Sequence, residues 1–501
     1  ILRFFMRGLA DRGYAFSRLA GLLLLAYFTW LIGSLGGKFD RLTIGSVLLG
    51  LVLLSAVFVF LQRREIFSDL RRMRKTILAV ELVMLAFFLI DLGIRIGNPD
   101  LWHPWKGGEK PMDLSYFTAV LKSSTFPPYD PWYSGGYINY YYYGFVIVGV
   151  LVKLLGILPN VAYNLVIPTL FAFTGLGAFS LGWNLFARKT GAVESDGAAR
   201  GGPSARSLFA GIAASVSVLI LGNLGTIRMI GQGVQRLAAP DGVIDSGTFL
   251  QHIGWFFGGL GRFFSGASLP YGFGDWYWIP SRAIPGDVIT EFPFFTFTYA
   301  DLHAHMIALP ITLLVLGWAL SVLLQRWDWD WKRSKLEFPG LFGSLFLGAF
   351  FIGTLRPTNT WDFPTYLLFA AIVVFYTALN YAAVPNWLAP RWPDGLRKIL
   401  YAGFFALLLA GLSLLFYQPF ANKYAQAYGS VDAWKGEHTR LKDFLVHWGW
   451  QLFLIVSWLV WETHEWLANT PLSSAKKWKP YLGYLEVVGA LLLLVLILLT
   501  V

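Results

Sequence analysis

The chain contains no cysteine and few charged residues for its 501-residue length. The lack of cysteine excludes disulfides, thiolate metal sites and thiol nucleophiles. Charged residues make up only 14% of the chain, whereas apolar residues make up 56% before its 52 glycines are counted. A typical soluble domain is about 25% charged, so this chain has too few charged residues to cover its apolar residues in a water-soluble fold. The composition predicts an integral membrane protein whose first partner is the lipid bilayer.

Basic residues exceed acidic residues by 11, which in a soluble protein would suggest nucleic acid binding. Here they lie in short clusters beside apolar runs, a pattern that sets the orientation of a protein in the membrane. We therefore expect no nucleic acid partner.

Twelve apolar runs approach the roughly 20 residues that a helix needs to cross a bilayer. They predict an all-α, polytopic transmembrane helical bundle of about 11 to 13 spans, located in the cell membrane as a single multi-pass domain over 1–501. Because the last run reaches Val501, we expect the chain to continue beyond it. The predicted parts are N-terminal spans (1–94), a first outer loop (95–136), further spans (137–227), a second outer loop (228–305) and C-terminal spans (306–501).

Orientation follows from the density of Lys and Arg in the connections between runs. It is about three times higher in one set than in the other, so that set is predicted to be cytoplasmic. Strict alternation then requires that one of the three runs between 137 and 227 does not cross the membrane. We expect that run to be 161–187, which Pro168, Gly175 and Gly177 interrupt. The basic connections are 1–18, 63–75, 188–206, 326–339, 387–398 and 474–480.

The first outer loop holds two carboxylates, Glu109 and Asp113, at the start of a helix predicted over about 111–123. The helix dipole favours an ionised carboxylate there. Gly107 and Gly108 precede them and allow the backbone to approach a ligand closely. The alternative is that both acids only cap the helix.

Further along this loop, Asp130 lies between two prolines, and four consecutive tyrosines lead into the next apolar run. Asp130 is a candidate for binding substrate or for shaping a turn. Tyrosines in this position are typical of the aromatic belt at the membrane interface, which accounts for at least two of the four. Tyr140 and Tyr141 are the candidates for substrate contact.

The second outer loop ends at Asp301, His303 and His305, which are two residues apart. In an extended segment all three side chains project to one side, which indicates a metal or phosphate site. The alternative is that the imidazoles only form interfacial hydrogen bonds. Glu291, near the same loop end, is a further candidate for substrate binding.

A short polar turn after the run at 340–356 carries Arg356, Asn359, Trp361 and Asp362. The planar guanidinium of Arg356 suits phosphate recognition. The alternatives are that Arg356 extends to the membrane interface or forms an ion pair with Asp362.

Taken together, these motifs resemble the uncharacterised "YYY" membrane protein family over about 98–448. The motifs are Glu-Lys-Pro-Met-Asp, Pro-Pro-Tyr-Asp-Pro-Trp, Asn-Tyr-Tyr-Tyr, Tyr-Ala-Asp-Leu-His-Ala-His and Asn-Thr-Trp-Asp-Phe-Pro. The layout of that family is similar to the GT-C group of membrane glycosyltransferases. The first loop departs from that group because it has no adjacent Asp-Asp or Asp-Glu pair.

The resemblance implies transfer of a sugar from a polyprenyl-phosphate donor to an unknown acceptor on the outer face. It implies Asp113, or Glu109, as the catalytic base, with Asp130 following the helix. Sugar transfer also requires positive charge at the departing phosphate. Either Mg²⁺ or Mn²⁺ is held by Asp301, His303 and His305, or no cofactor is present and the cationic side chains hold the phosphate directly. Those cationic side chains are Lys110, His303, His305 and Arg356.

Two other functions remain open from the sequence. A transporter or lipid flippase would place ionisable groups near the bilayer midplane, whereas here they concentrate at the outer loops. A structural membrane subunit would give that cluster of polar residues no role.

Overall fold

The computed structural model describes residues 2–103, 108–187, 204–286, 288–329, 337–385, 387–425 and 432–469. Within these ranges every regular element is helical, apart from one isolated bridge between Tyr129 and Tyr137. Nine of the described helices are long and apolar enough to cross a membrane. The predicted all-helical, multi-pass membrane protein is therefore confirmed. The apolar run at 480–501 lies outside the described residues.

Eighteen α-helices are present in the described residues, and three of them have only four residues. They are α1 (Leu2–Phe5), α2 (Ser17–Ser34), α3 (Arg41–Leu61), α4 (Arg63–Gly97), α5 (Lys110–Lys122), α6 (Tyr142–Leu155), α7 (Pro159–Ala187), α8 (Ala205–Leu219), α9 (Gly225–Ala238), α10 (Phe249–Phe264), α11 (Asp275–Trp278), α12 (Pro293–Tyr299), α13 (Ala304–Gln325), α14 (Glu337–Thr358), α15 (Asp362–Tyr381), α16 (Asp394–Leu415), α17 (Gln418–Ala421) and α18 (Leu441–Asn469).

The described residues divide into two compact units. The first lies within 1–222 and 291–436, and the second lies within 223–290 and 437–469. The predicted second outer loop therefore falls mainly in the second unit, where α9 packs against α10. Within that unit Asn223 Nδ2 donates to the carbonyl of Pro280 at 2.9 Å.

In the first unit, one end of the helical bundle is formed by the starts of α6 and α13 and the end of α14. A Cβ added at Gly144 in α6 would lie 3.1 Å from Ile307 in α13 and 3.5 Å from Thr358 in α14. We call this the site end, because the candidate residues of both outer loops that belong to this unit lie there. Trp30 near the end of α2 is fully buried against Tyr143, with ring centroids 5.2 Å apart.

Of the three runs between 137 and 227, the run at 161–187 forms one continuous helix that is long and apolar enough to cross a membrane, where an interruption was expected, and the helices of the other two runs are shorter. The helix of the second run, α7, continues through Pro168 for 29 residues and is a candidate span. By contrast α6 has 14 residues, about 21 Å of helix against roughly 30 Å of hydrocarbon. Its first turn lies at the site end, and its Lys153 donates to the carbonyl of Ser123 at the end of α5. A Cβ at Gly156, just after α6, would meet Arg41, so the end of α6 lies near the start of α3.

Candidate functional site

The two outer loops meet through a pair of side chains that are 191 residues apart in the sequence. Lys110 Nζ donates to Asp301 Oδ1 at 2.9 Å, and the backbone N–H of Glu109 donates to Asp301 Oδ2 at 2.9 Å. The Lys110 ammonium also lies 4.5 Å from the ring centroid of Tyr299. Lys110 is only 7% exposed, so this ion pair is largely shielded from water and fixes the start of α5 against the loop before α13.

Glu109 and His303 form a second contact between the same two elements. His303 Nε2 and Glu109 Oε2 are 2.6 Å apart, which is hydrogen-bonding distance with the imidazole as donor. The Glu109 side chain is 56% exposed and that of His303 is 22% exposed. This carboxylate is therefore held in one orientation while it remains open to a ligand.

Gly108 makes this arrangement sterically possible. Its φ is +61°, and a Cβ there would lie 2.5 Å from Asp301 Oδ2 and 2.7 Å from Tyr299 Cε1. The left-handed conformation favours glycine, and the close contact excludes a larger residue. Sequence reasoning assigned this glycine to close approach of a ligand, whereas it allows approach of the Asp301 side chain. Gly107 lies outside the described residues.

The loop that carries Asp301 is fixed by Tyr163 of α7, which the sequence reasoning missed. The Tyr163 hydroxyl accepts from the backbone N–H of Leu302 at 2.8 Å and donates to the carbonyl of Ala300 at 3.4 Å. Ala300 has φ +65° and ends α12. A fully buried tyrosine near the start of an apolar span was the available signal, because a buried hydroxyl requires a polar partner.

Asp301, His303 and His305, which the sequence predicted on one side of an extended segment, contact three different partners. The extended backbone ends at His303, which is the N-cap of α13, and His305 lies in the first turn of that helix. Asp301 contacts Lys110, His303 contacts Glu109, and His305 Nε2 lies 2.8 Å from Glu291 Oε2. The two imidazole ring centroids are nevertheless only 5.4 Å apart.

These contacts do not fit the predicted metal centre. Among the described residues, no group of three His, Asp or Glu side chains is arranged to hold a metal ion. The Asp301 carboxylate is already neutralised by Lys110. Metal dependence stays a prediction, and nothing below depends on Mg²⁺ or Mn²⁺.

Asp113 is the most unusual carboxyl group of this cluster. It is fully buried, and neither of its oxygens has a hydrogen-bond partner in the described chain. Burial, together with the nearby charges of Asp301 and Glu109, raises the pKa of Asp113 to about 8 against the opposing effect of Lys110. The group is therefore mostly protonated at neutral pH.

The predicted aromatic residues fall into two groups. Burial and the neighbouring carboxylates of Asp113 and Glu109 raise the pKa of Tyr140, which places Tyr140 beside the cluster. Tyr141 lies next to it and packs on Tyr424 with centroids 6.0 Å apart. Tyr142 and Tyr143 are buried in the core, so they are not the membrane-interface anchors that the sequence suggested.

Glu291 and His305 extend the cluster toward α15. Burial opposes ionisation of Glu291, but the contact with His305 outweighs it and holds the pKa of that carboxyl below its usual value. His305 also lies within electrostatic range of Asp362. Asp362 Oδ2 accepts from Asn359 Nδ2 at 2.9 Å, so these two predicted residues are brought together at the start of α15.

Arg356 lies in the last turn of α14 rather than in a loop. Its Nη1 is buried without a hydrogen-bond partner in the described chain, and no ion pair with Asp362 forms there. The sequence left an ion pair between Arg356 and Asp362 open as an alternative, and the described residues do not form it. Trp361 is 71% exposed and contributes a surface aromatic ring beside this turn.

Asp130 does not join the carboxylate cluster. Its Oδ1 accepts from the backbone N–H of Trp132 at 2.7 Å, which is the turn-shaping role that the sequence left open. It lines a groove of about 700 Å³ along α5, together with Pro111, Ser115 and Lys122.

Comparison with known proteins gives one result. No curated protein and no solved structure matches the chain. The family model described as "Uncharacterized membrane protein (DUF2298)" matches residues 24–501. With nearly its whole length matched, the chain belongs to the uncharacterised membrane protein family DUF2298.

Proposed function

We propose that this protein is a membrane glycosyltransferase that moves a sugar from a polyprenyl-phosphate donor to an acceptor at the site end. The observation that supports the proposal most is the Glu109–His303 contact beside the buried Asp113. It combines an accessible, oriented carboxylate with a group of cationic side chains at the start of a short helix outside the candidate spans.

Glu109 is a better candidate for the base than Asp113, although the sequence favoured Asp113. A general base must be ionised and within reach of the acceptor proton. Glu109 is exposed and hydrogen-bonded to His303, whereas Asp113 is buried and has a raised pKa. In the transfer step the acceptor hydroxyl oxygen bonds to C1 of the sugar and its proton passes to Glu109. The bond between C1 and the phosphate oxygen breaks, and polyprenyl phosphate leaves.

The leaving phosphate requires positive charge in a site that is partly shielded from water. Arg356 has a buried Nη1 without a hydrogen-bond partner in the described chain, and a phosphate oxygen would supply one. His303 and His305 add imidazole donors close to each other. Lys110, already paired with Asp301, contributes mainly by fixing the loop.

The test is turnover of defined donors in proteoliposomes. Polyprenyl phosphates that carry single hexoses or pentoses are incubated with the protein and a membrane extract as acceptor source, and release of free polyprenyl phosphate is measured by mass spectrometry. We expect release with at least one donor, and a loss of about 10²- to 10⁴-fold in Glu109→Gln. Glu462→Gln is the matched control because Glu462 lies in α18, in the other unit. Unchanged turnover in Glu109→Gln would refute the assignment of the base.

The same proteoliposomes test the rival function. A flippase would move the intact donor across the bilayer and release no polyprenyl phosphate. That result with every donor would contradict the proposal of a transferase.

A further inference from the structure

A groove between three candidate spans lies in the first unit, far in sequence from the candidate site. It has a volume of about 320 Å³, and it is lined by α2, α3 and α4 together with the N-terminal segment. Its floor is apolar and includes Leu24, Leu51 and Ile77. Only 6% of the α3 span and 11% of the α4 span are buried, so the groove is bordered by surfaces that face lipid.

Arg12 gives the mouth of this groove a net positive charge. It lines the groove, and its Nη1 donates to the carbonyl of Arg7 at 3.3 Å. It forms no ion pair within the described chain. Its backbone has φ +54°, a conformation that residues other than glycine rarely adopt, so the local fold holds the side chain at this place.

The two carboxylates that line the groove already have partners. Asp69 pairs with Arg3 at 2.8 Å and with Arg72 at 3.0 Å. Asp11 accepts from the backbone N–H groups of Gly13 and Ala15. Asp69 also attracts Arg12, but because it is shared with the paired Arg3 and Arg72 the mouth of the groove keeps a net positive charge.

We propose that this groove binds an anionic phospholipid of the surrounding bilayer. The phosphate group of the lipid would lie on Arg12, and one acyl chain would lie along the apolar floor between α2 and α3. Charge complementarity supports this occupant, because a zwitterionic lipid would leave the mouth with a net positive charge. The proposal is independent of the glycosyltransferase activity.

The experiment is titration of the purified protein with phosphatidylglycerol or with phosphatidylcholine of the same acyl chains, followed by native mass spectrometry. We expect tighter binding of phosphatidylglycerol and a loss of about fivefold in affinity for it in Arg12→Gln, since one basic residue contributes about 1 kcal/mol to binding of an anionic headgroup. Arg64→Gln is the matched control, because Arg64 is exposed on α4 and does not line the groove.

A second variant tests the acyl-chain part without changing any charge. Gly21 lines the groove on α2, and a Cβ there would have no atom within 4 Å. Gly21→Leu therefore folds as a helix and fills the groove, so lipid binding should fall, whereas Gly93→Leu, at another open helical position of α4, should leave it unchanged.

Three results would overturn the proposal. The first is equal affinity for both lipids, and the second is unchanged lipid binding in both Arg12→Gln and Gly21→Leu. The third is binding of inorganic phosphate, in the absence of lipid, with the same dependence on Arg12. The last would indicate a phosphate site without an acyl-chain groove.

Discussion

Replacement of Asp113 by asparagine tests the buried carboxyl without any assumption about function. The amide preserves the size of the side chain and removes its ionisation. In the folded protein the pKa of Asp113 is raised from 3.8 to about 8, mainly by burial. A raised pKa means that the folded state holds the proton more tightly than the unfolded chain does.

The sign and size of the effect follow from this difference. The contribution of Asp113 to stability is fully present below the unfolded pKa of 3.8 and is lost as the pH rises toward about 8. Each pKa unit corresponds to about 1.4 kcal/mol, so the shift from 3.8 to about 8 accumulates a loss of about 6 kcal/mol. Asp113→Asn lacks this loss. The free energy of unfolding of Asp113→Asn, relative to that of the wild type, should increase through this pH range and stay constant above it.

The assay is thermal unfolding in detergent micelles, measured for both proteins from acidic to mildly alkaline pH. The difference in apparent Tm between Asp113→Asn and wild type is the quantity of interest, because other groups titrate equally in both. Asp130→Asn is the control, since Asp130 serves a turn and an amide oxygen can also accept from Trp132. A difference that does not change with pH, or that decreases as the pH rises, would refute the buried, partnerless state of Asp113.

Three other predictions concern the supporting residues and the orientation. Gly108→Ala should destabilise the protein by about 1–3 kcal/mol and lower turnover, because its Cβ would overlap Asp301 Oδ2; wild-type Tm and turnover would contradict this. Tyr163→Phe removes the hydroxyl that accepts from Leu302 and should cost about 1–3 kcal/mol, measured by the same unfolding assay; an unchanged Tm would contradict it. A single cysteine at a surface position beside Asp113 should react with an impermeant thiol reagent in intact cells, whereas one at Arg64 should not; the reverse labelling would overturn the predicted orientation.

Much of the fold followed from composition and from the length of the apolar runs. The short helix α5 was predicted within one residue at each end, because Pro111 suits a helix start and apolar residues recur at helical spacing after it. The run at 161–187 was expected to be interrupted, but Pro168 and two glycines are tolerated within the continuous α7. In a helical bundle, neighbouring helices can satisfy the backbone polar groups that proline and glycine leave free. A single sequence does not reveal those neighbours.

The candidate site was predictable as a set of residues but not as a set of contacts. The pairing of Lys110 with Asp301 joins segments far apart in sequence, and no local pattern indicates it. The metal site stays a prediction, but α13 begins at Ala304, so His305 lies in a helix and not in the extended segment that the sequence reasoning assumed. Helix starts are uncertain by one or two residues, and at alternating spacing one residue decides which way a side chain points.

The most direct test of the central claim is to locate the donor phosphate on the protein. A polyprenyl phosphate with a photoreactive diazirine next to its phosphate group is activated in proteoliposomes, and the labelled peptides are identified by mass spectrometry. We expect labels on the segments that contain Glu109, Asp301 to His305, and Arg356, with competition by unmodified polyprenyl phosphate. Labelling confined to other segments, or labelling of these segments that polyprenyl phosphate does not displace, would contradict a polyprenyl-phosphate site at this cluster.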